Sequence, residues 1–192
     1  MSERPGGARD DDVVDLLQRQ HTEIRHLFDE VEAASGDERI AAFDRLRRLL
    51  ALHETAEEEV VHPYARRNID GGQEIIEARL TEENQAKQLL SDLDYLGPTN
   101  VGFLKGLSDL RIAVMAHARH EEEEEFPRIR ELADEQERRR MATAVRAAEA
   151  VGPTHPHVGF ESAPANLLAG PFAAIADRAR DAIRKVTGRQ KG

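Results

Sequence analysis

The sequence has no cysteine and no tryptophan, and only 2 tyrosines and 6 phenylalanines among its 192 residues. Without thiols there can be no disulfide, no zinc–thiolate or thiolate-held iron–sulfur site, and no cysteine nucleophile. Any metal must be held by histidine and carboxylate. Aromatics make up 4% and charged residues 33%, so the core has to be assembled from Leu, Ile, Val and Ala, which favours helices over sheets. Basic residues are in deficit: 27 Lys+Arg against 37 Asp+Glu leave a formal net charge of -10. That charge opposes attraction to a nucleic-acid backbone or an anionic bilayer. No run approaches the roughly 18 to 20 apolar residues that span a bilayer, and the polar start MSERPGGARDDD lacks the apolar stretch of a signal peptide. The expectation is a cytoplasmic protein with neither nucleic acid nor membrane as a partner.

What is present is helical periodicity broken by a few turn signals. Pro5, Gly6 and Gly7 make residues 1–10 read as a disordered start. A first helix is expected from Asp11 to Ala34, stopping at Ser35-Gly36. A second, capped by Asp37, runs to Ile69 before Gly71-Gly72, with Pro63 ending or bending it early. A third covers Gln73 to Leu96 and stops at Gly97-Pro98, and a fourth starts after Asn100 and continues towards Pro127 and Leu132. Long helices with short connections imply an all-α, up-down-up-down four-helix bundle over residues 11–133. Residues 134–192 form an extension: a short helix to Ala150, a Pro/His/Gly-containing stretch, and an amphipathic segment from Phe172 to Val186 that folds back on the bundle.

The seams of these helices carry ionisable groups. A bundle core repeats at alternating spacings of three and four. The first helix reads Val14, Leu17, His21, Ile24, Phe28, Val31, and the second Phe43, Leu46, Leu50, His53, Glu57, Val60, Tyr64. The third reads Ile76, Leu80, Glu83, Ala86, Leu90, Leu93, and the fourth Phe103, Leu107, Leu110, Val114, His117, Glu121. A buried unpaired carboxylate is costly enough that chains pair it with a cation or a metal. The seams show no Arg or Lys near these positions, so a metal cluster is the economical compensation. By the same trace His26, Glu58, Glu82, Asn84 and His120 leave the seams and read as solvated or rim residues. His62 is adjacent to the seam and Tyr64 lies in it, so both are candidates for contact behind the ligands.

HETAEEEVVHP from His53 matches HARHEEEEEFP from His117 in both the His-x-x-x-Glu spacing and the Pro ten residues after the His. A His and a Glu four apart share a helix face, close enough to reach one metal or two adjacent ones. HTEIRHLFDEV from His21 likewise aligns without gaps to ENQAKQLLSDL from Glu83. The ordered set is His, HxxxE, Glu, HxxxE, one element per helix. It resembles the hemerythrin HHE cation-binding family, whose pattern is His, HxxxE, His, HxxxE across four antiparallel helices around two irons. The resemblance covers about residues 11 to 132. It implies metal ligation by His21, His53, Glu57, His117 and Glu121, with the two Glu as bridging carboxylates. The departure is Glu83, where the family usually has His.

A ligand set of imidazole and carboxylate suits iron or manganese, and the resemblance implies two irons in an oxo- or hydroxo-bridged centre. Positions left open would admit hydrogen peroxide, dioxygen or nitric oxide, with an unidentified electron donor. An extra carboxylate at Glu83 favours the ferric state and argues against simple oxygen carriage. The expectation is therefore catalase-like peroxide turnover or defence against oxidative or nitrosative stress. The alternatives are a module that carries, stores or senses oxygen, nitric oxide or iron, and a metal-free bundle that serves in interactions.

Overall fold

The computed structural model describes residues 12–151 and 171–188, and all regular structure among them is helical. The disordered start and the Pro/His/Gly-containing stretch expected from the sequence lie outside the described residues. α1 (Val13–Ala33) begins where the Asp12 carboxylate accepts a 2.9 Å hydrogen bond from the Val14 N–H, satisfying one of the free donors of the first turn. α2 (Gly36–Ala56) starts one residue before Asp37, and its N-cap, Ser35, makes no side-chain capping bond.

Pro63 does not end the second helix. Chain direction is kept through α3 (His62–Asn68) because the intervening Glu57–Val61 turn is π-helical, the N–H of His62 bonding to the carbonyl of Glu57. Proline has no N–H, and its ring crowds the carbonyl four residues earlier. A wider turn just before it absorbs both defects. The repeat does the same thing again. α5 (Phe103–His120) leads into a π-helical Glu121–Glu125 turn, where the Phe126 N–H reaches the Glu121 carbonyl, and then into α6 (Phe126–Leu132) with Pro127 in its first turn. Between the halves runs α4 (Gly72–Leu96), entered through Gly71 at φ 71°. Gly72 packs so closely on α3 that a β-carbon there would stand 2.3 Å from the Ala65 carbonyl oxygen.

The π turns change the seam. Val61, not Val60, is fully buried after Glu57, and Glu125 is fully buried after Glu121. A turn with more than 3.6 residues moves every later side chain round the axis, so a trace in constant three-four steps goes out of register.

α1 packs on α2, α4 on α5, and α1 also on α5. Two apolar clusters result. One gathers Ile24, Phe28, Leu46, Leu90, Phe103 and Leu110; the other joins Val14, Leu17, Val61, Ile76, Phe126 and Ile129. Each such side chain contributes about 1.5–3 kcal/mol on burial. The polar seam positions His21, His53, Glu83 and His117 fall in sequence between members of the two clusters, so they form a layer that divides the core. The extension belongs to the second cluster: α7 (Glu135–Val151) brings Val145 and Ala148, and α8 (Pro171–Thr187) brings Ile175, Ala179 and Ile183. α7 lies on α1 and α2, α8 on α2 and α7, and the Arg180 guanidinium holds Glu59 of the first π turn at 2.9 Å. No described helix is long and apolar enough to cross a membrane.

Candidate metal centre

All six ligands expected from the sequence, His21, His53, Glu57, Glu83, His117 and Glu121, are buried, at 6% exposure or less. His21, His53, Glu57 and Glu121 converge, each offering a donor atom within 4.8 Å of the others. A second convergent group, within the same limit, is His62, Glu121 and Glu125, so Glu121 is common to both. Its two oxygens face different ways: Oε2 is 3.3 Å from His21 Nε2 and Oε1 is 3.3 Å from His117 Nε2.

Residues outside the seams fix the imidazoles. Gln20 donates from its amide nitrogen to Glu149 of α7 at 2.7 Å, which leaves its oxygen to accept from His53 Nδ1, also at 2.7 Å. The Glu122 carboxylate accepts from His21 Nδ1 at 2.7 Å, and Glu82 accepts from His117 Nδ1 at 3.0 Å. A carboxylate or amide oxygen can only accept, so all three rings carry a proton on Nδ1 and turn Nε2 inwards. The Nε2 atoms of His21 and His53 face each other at 3.0 Å. With both rings in the Nδ1–H form their lone pairs repel unless a cation lies between or beside them.

The carboxylates make the same demand. Both oxygens of Glu125 and both nitrogens of His62 are buried without a hydrogen-bond partner among the described residues, and Glu57 and Glu121 reach imidazole nitrogens only at 3.3–3.4 Å. Native interiors rarely leave such groups unpaired. Electrostatics in the metal-free protein reflect the strain. Burial, reinforced by Glu121, Glu83 and Glu125, raises Glu57 well above the usual carboxylate range. Burial and Glu121 lift Glu125 to about 8. Burial also disfavours ionised Glu121, but His117 and His21 outweigh it and hold this carboxyl well below its usual value. Burial pushes His62 down to about 4 despite the pull of Glu121, whereas in His117 the opposing effect of burial is overcome by Glu121 and Glu82, giving about 10. Sulfur-free donors, inward lone pairs and unpartnered carboxylates together fit a site for hard or borderline cations.

Four residues read from the sequence stand in settings that spacing alone did not show. Glu83 stands apart from both convergent groups; its Oε1 is 3.6 Å from His62 Nδ1, and its Oε2 is 3.4 Å from the ammonium of Lys87. The seams therefore do have a cation within reach, since Lys87 also contacts Glu54 at 3.5 Å and Glu58 at 2.5 Å. Tyr64 belongs to the apolar cluster shared with α7, and the charges that raise its hydroxyl, after burial, are Glu137 and Asp134 rather than the centre. Glu82 is half-buried and binds both His117 and His120, so it supports the centre rather than facing solvent. His26 and Asn84 are exposed. The residues missed from sequence are Glu125, Gln20 and Glu122. The last two flank a seam position, directly before His21 and directly after Glu121, and that adjacency is the signal they carry.

A cavity of about 10 Å³ adjoins the centre, lined by His21, His53, Glu83 and His117 on one side and Ile24, Leu50, Ala86 and Val114 on another. It has room for a single water-sized molecule.

The hemerythrin HHE cation binding domain model matches residues 12–129. In fold the chain is similar to the crystal structure of a hemerythrin HHE cation binding domain-containing protein from Mycobacterium kansasii, with a TM-score of 0.65, 18% identity, and coverage of 91% of this chain and 98% of that one. It is also 28% identical over 144 residues to a Nostoc sp. protein described as a DNA nickase, a match that takes in 73% of this chain and only 40% of the relative. The family match spans most of the chain and contains both His-x-x-x-Glu repeats and both π turns: the chain belongs to the hemerythrin HHE cation binding domain family.

Proposed function

We propose that the protein is a cytoplasmic non-haem diiron protein that reacts with hydrogen peroxide or related oxygen species, with catalase-like disproportionation of peroxide to water and dioxygen as the leading activity. The observation that carries this reading is the pair of convergent donor groups sharing Glu121, free of sulfur and left with unpartnered buried oxygens. His21, His53, Glu57 and Glu121 would hold one iron; Glu121 and His117 would contribute towards its neighbour. Bound iron would supply the electron exchange that peroxide chemistry requires.

The chain's own residues define what can reach that position. Ile24, Leu50, Ala86 and Val114 wall a cavity of about 10 Å³, which restricts approach to the smallest molecules. Glu82 and Glu122 keep His117 and His21 in the tautomer that presents Nε2 inwards. The carboxylate-rich set of Glu57, Glu121 and Glu125 favours the ferric state and so turnover over reversible oxygen carriage. The nickase relative offers a second function, but the net charge of -10 opposes approach to a phosphodiester backbone, so the peroxide reading is preferred.

The test is metal quantification with an optical spectrum, followed by oxygen release from peroxide. Two irons per chain, oxo-bridged ferric absorption and metal-dependent oxygen release are expected. Two irons without oxygen release would leave a carrier, store or sensor; a chain that takes up no iron would end the diiron reading.

A further inference from the structure

The two halves of the repeat differ at the π turns, and the difference is chemical. Aligning His53 with His117 places Val61 opposite Glu125 and His62 opposite Phe126. The turn after Glu57 therefore carries a histidine at its end, and the turn after Glu121 a carboxylate. Both point into the same place: a donor atom of His62, one of Glu121 and one of Glu125 lie within 4.8 Å of one another. His62 is 1% exposed with neither ring nitrogen hydrogen-bonded, and Glu125 is 0% exposed with neither oxygen hydrogen-bonded. Among the described residues the one ion-pair contact that reaches either is Glu83 Oε1, 3.6 Å from His62 Nδ1 and too far for a hydrogen bond.

Glu83 stands outside both convergent groups. Its Oε2 faces the Lys87 ammonium at 3.4 Å, and Lys87 is tied in turn to Glu54 and Glu58, while its Oε1, without a hydrogen-bond partner, lies 3.6 Å from His62 Nδ1. One of its oxygens is therefore already matched to a cation, and the donors that do converge beside Glu121 are those of His62 and Glu125.

The geometry points to a second metal position built from His62 and Glu125 around the shared Glu121, with Glu83 left outside as the partner of Lys87. This rests on the reading that the centre takes two metals. The two positions are then unlike: His21, His53 and Glu57 serve the first with Glu121, while the π-turn pair serves the second. The wider turns are what allow it, because they carry Glu125 and His62 onto the face already occupied by Glu121 and Glu57.

The experiment strips the full chain with chelator, reloads it anaerobically with ferrous iron, and counts bound iron per chain. The parent is expected to hold two. His62→Ala and Glu125→Ala should each hold one, while Glu83→Gln should still hold two. The single iron retained by the π-turn variants reports that the first position is folded. If either variant loses its helical circular dichroism, the less disruptive His62→Gln and Glu125→Gln are counted instead, with the same expectation. Two irons in the His62 and Glu125 variants, or one in Glu83→Gln, would overturn the assignment while leaving the diiron reading intact. A parent that binds fewer than two irons would overturn both.

Discussion

Replacing Glu57 by leucine should change thermal stability in opposite directions depending on whether metal is present. Glu57 is fully buried, neither carboxylate oxygen has a hydrogen-bond partner, and its surroundings raise it well above the usual carboxylate range. Without metal, burial and the neighbouring carboxylates disfavour its ionised form, and its nearest ion-pair contact is His53 Nε2 at 3.4 Å. A buried polar group of that kind costs about 1–3 kcal/mol, and an apolar side chain of similar size removes the cost. One kcal/mol moves the melting temperature of a chain of this size by about 2–4 °C. Metal-free Glu57→Leu should thus melt about 2–12 °C above the metal-free parent. With metal in hundredfold excess over its dissociation constant, each occupied site adds about 2.7 kcal/mol. Loss of one site then exceeds the apolar gain in all but its upper range, and the loaded variant should melt below the loaded parent. Chelation of the parent, removing two sites, should lower its melting temperature by about 10–20 °C. Calorimetric melts of parent and variant, each with chelator and with ferrous iron, check all four states. A shift of the same sign in both conditions, or a parent indifferent to chelator, would refute the claim that these carboxylates are built around a cation.

Loading should also release protons, because Glu125, lifted to about 8 by burial and Glu121, and His117, raised against burial to about 10 by Glu121 and Glu82, carry protons at neutral pH without metal. Affinity should therefore rise from about pH 6 to 8, and calorimetric heats should vary with the ionisation enthalpy of the buffer. His26→Ala should retain the parent iron content and so should His120→Ala, which touches only Glu82, whereas His21→Ala should lose iron; elemental analysis decides between them. Lys87→Met should destabilise the fold by about 3 kcal/mol in denaturant titrations, since buried Glu54 and Glu83 lose their cation. Ala179→Leu should cost about 1–3 kcal/mol by overpacking the fully buried seat of α8, read as faster proteolysis of the extension.

The seam residues were legible because burial of His21, His53, Glu57, His117 and Glu121 is written in their spacing against Leu, Ile and Val. The helix ends followed from Gly36, Gly71 and Gly97, which take positive φ where the chain turns. What spacing hides is a change of period. A trace in three-four steps put Val60 in the core and passed over Glu125, although Pro63 and Pro127 mark where the helix must widen. Glu83 is a different case: its seam position is correct and it is buried, but the nearby cation, Lys87, comes from one turn later on the same helix with its stem along the surface. Sequence spacing reports which face a Cα occupies, not how far a long side chain folds back.

The link from Glu149 through Gln20 to His53 has a practical meaning for anyone trimming the chain. A fragment cut after the fourth long helix would keep every residue that touches a cation, yet Gln20 would lose the anchor that orients its amide. The amide could then flip and offer N–H to His53 Nδ1, the ring could take its proton on Nε2, and the first metal position would lose a lone pair without any ligand having been mutated. The smallest piece that keeps the hydrogen bonds around His53 is thus longer than the smallest piece that keeps the motif, and α7 is where the two differ.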